Sequence, residues 1–205
     1  MISDASRCAG GVDPGRRVRF AEPALCAEEG AHLDLYVDVG DARDMSNTLH
    51  RSLEMLFREL IDGSRADPAW MLNPEDVGLL RSVAKLTASA ASTTPPAGGA
   101  TIAAHIDHVR FGLSLMNRWG QGEQDPWSAA DWTASWKRLV VNDQEWAALR
   151  TALEAEARTW LETLRTPREY SEFELNGVIG SVAHLAYHFG AIRQIDRSIR
   201  GPAAG

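Results

Sequence analysis

From Ser46 onward, apolar residues recur at three- and four-residue spacing, the period of a helix with one face turned inward. Leu49, Leu53, Leu56 and Leu60 form the first such stripe, which stops at Gly63. Asn73-Pro74-Glu75-Asp76 then reads as an N-cap, a proline at the first helical position and acids in the first turn, opening a shorter helix with Leu79, Leu80, Val83 and Leu86. Residues 88–100, with Pro95-Pro96 and Gly98-Gly99, read as a flexible connection. Helical periodicity returns over residues 101–119 and ends at Gly120. A tryptophan-rich crossover follows over residues 121–141, where Ser128 and Asp131, at capping-box spacing, predict a short helix. Asn142 with Glu145 opens a long helix that should bury Trp146, Leu149, Leu153, Trp160 and Leu164 and close at Pro167. Ser171 with Glu174 opens the last one, expected to run to about Arg200.

Residues 1–44 follow a different pattern. They are rich in Gly, Pro and charge, with one alternating run from His32 to Val39 that can pair as a strand. They read as a poorly ordered N-terminal extension, and Met45, directly before the helical signal, is a candidate natural start. Residues 45–205 hold four long amphipathic helices, some short ones and no convincing strand, which predicts an all-α four-helix bundle domain. No repeat of 20 to 50 residues interrupts that picture.

Composition narrows the function. A chain of 205 residues with 44% hydrophobic content builds one ordinary core. A formal charge of −7 disfavours nucleic acid and anionic membrane surfaces as partners and favours a small-molecule substrate. No run approaches the roughly 18 apolar residues of a membrane span, and the first residues lack a secretory apolar core, so the cytoplasm is the expected compartment. The two cysteines, Cys8 and Cys26, both fall in the extension and make neither a disulfide framework nor a zinc site with the downstream histidines.

Those histidines carry the candidate chemistry. At about 100° per residue, Ile102, Ile106, Val109, Leu113 and Met116 share a stripe, and His105 falls within its margin. His108 lies about 60° further round, with Phe111 and Leu115, and is a weaker candidate for the bundle interior. On the last helix, Val178, Val182, Leu185, Phe189 and Ile192 form the core stripe, with His184 and His188 along its edge. Their i, i+4 spacing puts both imidazoles on one side, one turn apart, as two ligands of one metal require. Small residues in line with them, Gly177, Ser181 and Ala191, leave room beside the rings. The sequence between them, Leu185-Ala186-Tyr187, lacks the glutamate of the HExxH pattern and argues against a metalloprotease.

Two segments, Thr101-Ile102-Ala103-Ala104-His105-Ile106 and Ala183-His184-Leu185-Ala186-Tyr187-His188-Phe189-Gly190-Ala191-Ile192-Arg193-Gln194, together resemble the DinB/YfiT-like superfamily. This is the group of damage-inducible bundle proteins and thiol-dependent enzymes, distinct from the translesion polymerase that shares the label. The likeness spans residues 45–199 and includes the crossover Asp131-Trp132-Thr133-Ala134-Ser135-Trp136. It implies an up-up-down-down bundle, a homodimer, and a divalent metal on His105, His184 and His188: nickel or zinc, with iron or manganese as alternatives. Relatives include thiol S-transferases and a mycothiol-dependent maleylpyruvate isomerase, so the resemblance also implies a low-molecular-weight thiol as cofactor. Three imidazoles leave coordination positions open, where a metal can polarise a carbonyl or a thiolate.

The expected function is therefore a divalent-metal-dependent, thiol-using transferase or isomerase. The alternative is a non-catalytic bundle whose metal or ligand is structural. Asp107 and Glu54 read as surface acids, and Arg193 as either a thiol cofactor's carboxylate partner or a helix-end ion pair. Among the seven tryptophans, Trp146 and Trp160 read as core. Trp119, Trp127, Trp132 and Trp136, around the crossover, can border a pocket, cover the bundle's end or meet a second copy.

Overall fold

The computed structural model describes residues 39–64 and 68–199, with side chains from residue 45 onward. The chain divides between Tyr36 and Val37, and the description concerns the unit Val37–Gly205. Cys8, Cys26, the extension up to residue 38 and most of the run expected as a strand lie outside the described residues. Four long helices dominate: α1 (Val39–Asp62), α4 (Ile102–Gly120), α5 (Asp143–Arg165) and α6 (Glu172–Ile195). Two short ones, α2 (Leu79–Ala84) and α3 (Ala88–Ala91), lie between α1 and α4. The described residues contain no strand, only an isolated bridge between Gly63 and Val77.

The long helices begin where the caps dictate. Thr101, Asn142 and Ser171 each accept a hydrogen bond from the backbone N–H three residues on, and Glu145 and Glu174 complete capping boxes on α5 and α6. The stripes are buried as expected, including Leu53 and Leu60 on α1, Ile106 and Leu113 on α4, Trp146 and Trp160 on α5, and Val182 and Phe189 on α6. Both indoles also satisfy their N–H groups: Trp146 donates to Leu86 O at 2.8 Å and Trp160 to Ser181 Oγ at 3.0 Å.

Each of α1 and α4 packs against both α5 and α6. Residue pairs fix the directions. Glu54 meets Arg165 and Asp62 meets Arg158, so α1 and α5 are antiparallel. Asn117 bonds Glu156, and Gly120 lies against Thr163, so α4 and α5 are parallel. His105 meets His188 and His108 meets His184, so α4 and α6 are antiparallel. The order is up-down-down-up, in place of the expected up-up-down-down. The cause lies in the connections: residues 68–101 stay at one end of the bundle, whereas the crossover returns along its length and makes α4 and α5 parallel.

Several local expectations change. Helix α1 starts at Val39, before the expected Ser46, and no proline interrupts the sequence from there to Asp62. Asn73-Pro74-Glu75-Asp76 is a turn, with Glu75 at φ +69° and the Asp76 N–H donating to Asn73 O, and α2 opens only after Gly78. The buried Asp76 carboxylate accepts the Asn73 N–H at 3.3 Å and takes Arg193 of α6 at 2.9 Å, so it ties this turn to α6 instead of lying in the first turn of a helix. Gly63, at φ +101°, and Gly78 let the backbone cross here: a Cβ on Gly63 would stand 2.4 Å from Asp76 O. The connection over 88–100 contains α3, capped by Thr87 and anchored by buried Ala88 and Ala91. The crossover helix shrinks to one 3-10 turn, Ala134–Trp136, whose first N–H is accepted by Asp131 Oδ1. Helix α6 ends at Ile195 rather than near residue 200, followed by the turn Arg197–Ile199.

Candidate metal centre

Helices α4 and α6 face one another with four histidines between them. The Nε2 atoms of His184 and His188 are 2.9 Å apart, and those of His108 and His184 are 3.2 Å apart. One ring nitrogen of each of His108, His184 and His188 lies within 4.8 Å of the other two. His105 meets the opposite side of His188, Nδ1 to Nδ1 at 2.9 Å. The converging set thus contains His108 where the sequence favours His105, while His184 and His188 take the places expected of them.

The helical wheel underrates His108 because it counts only the neighbouring bundle helices. The crossover covers a second face of α4, so Ala104, His108 and Leu115 are buried alongside the main stripe. Three ties hold it there. Thr101 Oγ1 donates to Leu139 O at 2.8 Å, the Val141 N–H donates to Ser92 Oγ at 3.0 Å, and Arg138 Nε donates to Asp107 Oδ2 at 2.9 Å. Asp107, read from the sequence as a surface acid, is buried and neutralised by Arg110 and Arg138. Trp136 stacks on His108 with ring centres 4.1 Å apart, and Trp132 flanks it at 5.6 Å. Trp136 thus borders the site, one of the places open to the crossover tryptophans from sequence, whereas Ser135 carries no signal of its own there; the second stripe Ala104-His108-Phe111-Leu115 is the available sign that this face is covered.

The hydrogen bonds assign protons to the rings. Ser135 Oγ gives its single hydrogen to Trp132 O at 2.7 Å, so at 2.8 Å it accepts from His108 Nδ1–H. That leaves a lone pair on His108 Nε2, facing the cluster. With His108 Nε2 unprotonated, the bonding proton sits on His184 Nε2, so His188 Nε2 also accepts and the His188 Nδ1–H faces His105 Nδ1. Between them stands His184 Nε2, whose one proton is shared by both neighbours.

Electrostatics favour neutral rings. Burial, followed by the neighbouring imidazoles His184 and His105, lowers His108 to about 4 against a weak opposing pull from Asp107. Burial and the surrounding histidines lower His188 to about 3. Burial likewise lowers His105 and His184. A divalent cation suits this donor set. Imidazole nitrogens bound to one zinc at about 2.0–2.1 Å in tetrahedral geometry stand roughly 3.3 Å apart, close to the separations here. A cation would replace the shared proton of His184, and Ser135 and His105 would orient His108 and His188 from behind, as outer partners of metal-bound histidines do.

The other candidates have structural duties. Arg193 donates to Asp76 Oδ2 and Val77 O and lies over the Phe189 ring, holding the loop before α2 against α6. Glu54 bridges Arg58 and Arg165. Trp119, Trp127 and Trp132 border a cleft of about 360 Å³ that reaches His184. Among the described residues, no helix is long and apolar enough to cross a membrane.

A helical domain with converging imidazoles on two facing helices defines a class of metal-competent bundles. The DinB superfamily sequence pattern matches residues 78–190, more than half of the 205-residue chain. The protein belongs to the DinB superfamily. No curated protein and no solved structure matches the chain.

Proposed function

We propose that the protein is a divalent-metal-dependent enzyme in which His108, His184 and His188 hold the ion and His105 orients His188. The observation that carries this reading is the convergence of three Nε2 atoms with the opposite nitrogens of His108 and His188 engaged from behind. The bound ion, nickel or zinc, would supply Lewis acidity toward a carbonyl or thiolate donor. The protein's own part is to keep the rings neutral by burial, fix their tautomers and shield one side with Trp136. The reaction we infer is thiol transfer or isomerisation using a low-molecular-weight thiol.

Metal analysis of protein purified without a polyhistidine tag tests the first half. Thiol consumption with electrophiles under added nickel or zinc tests the second. Bound metal, and activity lost in His188→Ala, support the reading. A protein that binds no metal and behaves identically as His188→Ala overturns it.

A second reading, a bundle in which the ion only braces α4 to α6, is favoured by Asp107, whose carboxylate is committed to Arg110 and Arg138 and does not serve as a base. Under it, metal raises the melting temperature and no thiol is consumed. A homodimer is part of the proposal as well: Ile179 and Tyr187 expose apolar surface on α6, with Tyr187 71% exposed. Light scattering that returns a monomer's mass would remove it.

A further inference from the structure

The cleft that ends at His184 is walled chiefly by apolar side chains. It encloses about 360 Å³ between α4, α6 and the crossover, the low end of small-molecule sites and room for roughly a one- or two-ring ligand. Its walls are Leu113, Met116, Phe173 and the indoles of Trp119, Trp127 and Trp132. Two of these aromatics face solvent strongly, Phe173 at 81% and Trp132 at 39% exposure. The side belonging to α6 is bare: a Cβ on Gly177 or Gly180 would meet nothing within 4 Å.

The hydroxyl of Ser181 and the carboxylate of Glu174, along the cleft, are already engaged within the protein. Ser181 Oγ donates to Val178 O and accepts from Trp160 Nε1. The Glu174 carboxylate accepts from the Ser171 N–H and hydroxyl and faces Arg168. His184, at the inner end, is the only lining residue that also belongs to the converging triad. Gly112 stands at that junction, where a methyl group would lie 3.6 Å from His184 Cε1 and 3.8 Å from Trp132, narrowing the passage between cleft and triad.

We propose that this cleft binds the aromatic or bulky apolar body of a small molecule whose single donor head reaches the triad past Gly112. The claim rests on the metal-site reading for the head but not for the body. Aromatic walls and bare glycines accept a flat ring by burial and stacking, and with Ser181 and Glu174 engaged inside the protein the indole N–H groups are the main polar feature left along the walls, which suits an aromatic body better than a sugar, nucleotide or peptide.

Isothermal titration of the full-length, zinc-loaded protein tests it with three probes: 2-naphthohydroxamic acid (ring and metal-seeking head), acetohydroxamic acid (head alone) and 2-naphthamide (ring alone). The naphthyl hydroxamate should bind at least tenfold more tightly than acetohydroxamic acid. Gly177→Leu, which fills the cleft without touching a histidine, should abolish that advantage while zinc content stays equal, and Gly180→Leu should repeat the result independently. Equal affinities for the two hydroxamates, or unchanged naphthyl binding in both leucine variants, would overturn the proposal. If the protein binds no zinc, 2-naphthamide still reads the cleft alone: binding lost in the leucine variants upholds the apolar subsite and condemns only the metal reading, and no binding by wild type condemns the subsite.

Discussion

Two buried histidine environments sit in the same bundle. At the seam of α1 and α5, His50 Nδ1 lies 3.3 Å from Leu164 O, and its Nε2 lies 2.8 Å from both the N–H and the carbonyl oxygen of Arg168. Both nitrogens are spent on backbone left over where α5 ends, so the ring acts as a C-terminal cap and has nothing to offer a ligand. Between α4 and α6, ring nitrogens meet one another instead, and only the rear atoms of His108 and His188 are spent on orientation. Burial is common to both places. What separates a structural histidine from a ligand set is where the second nitrogen goes.

The sharpest way to break this comparison is to truncate one ring on each side. His184→Ala should weaken zinc or nickel binding by well over the roughly 100-fold typical of losing an outer partner, because it removes the nitrogen between the other two. His50→Ala should leave metal content intact and cost about 1–3 kcal/mol of stability by stranding the Arg168 N–H and Leu164 O. Competition with a chelator of known affinity and denaturant melts read the two effects separately. Loss of metal in His50→Ala would contradict the distinction.

A smaller effect sharpens it further. His105→Ala should lower metal affinity by about 10- to 100-fold, the scale of an outer-shell partner, and leave a bound ion detectable. A loss as complete as that of His184→Ala would restore His105 as a direct ligand. Ser135→Ala removes the acceptor that fixes the His108 tautomer, and its effect should lie toward the lower end of the same range. Zinc titrations of both variants beside wild type decide the matter.

How far the sequence reaches follows from what each residue feels. Caps are local, so Asn142 with Glu145 and Ser171 with Glu174 mark α5 and α6 without tertiary knowledge. His184 and His188 are legible for the same reason, since i, i+4 spacing alone sets them side by side. Asn73-Pro74-Glu75-Asp76 carries an equally good local signal yet forms a turn, whose last carboxylate pairs with Arg193, 117 residues away. His108 is overruled in the opposite sense: a segment without regular helix folds over its face of α4 and buries it. Helix order fails for a related reason, because nothing in residues 121–141 states whether they span the bundle's length or turn at its end.

The mildest expected difference concerns acid. The cluster histidines titrate below the ordinary imidazole value of 6.5, His108 near 4 and His188 near 3, both chiefly through burial. Below pH 6.5 the unfolded chain therefore binds protons that the folded chain refuses, and stability falls as the pH is lowered toward those values. Above pH 6.5 the rings are neutral in both states and this contribution to the slope vanishes. Metal-free wild type, kept so with chelator, should lose stability steadily between about pH 6.5 and 5, before most carboxylates begin to protonate. The double variant His108→Gln, His188→Gln should show a flatter profile over that interval, whatever its absolute stability. Denaturant midpoints at half-unit steps of pH give the comparison directly, and parallel profiles for the two proteins would mean that the four rings do not resist protonation as a buried cluster must.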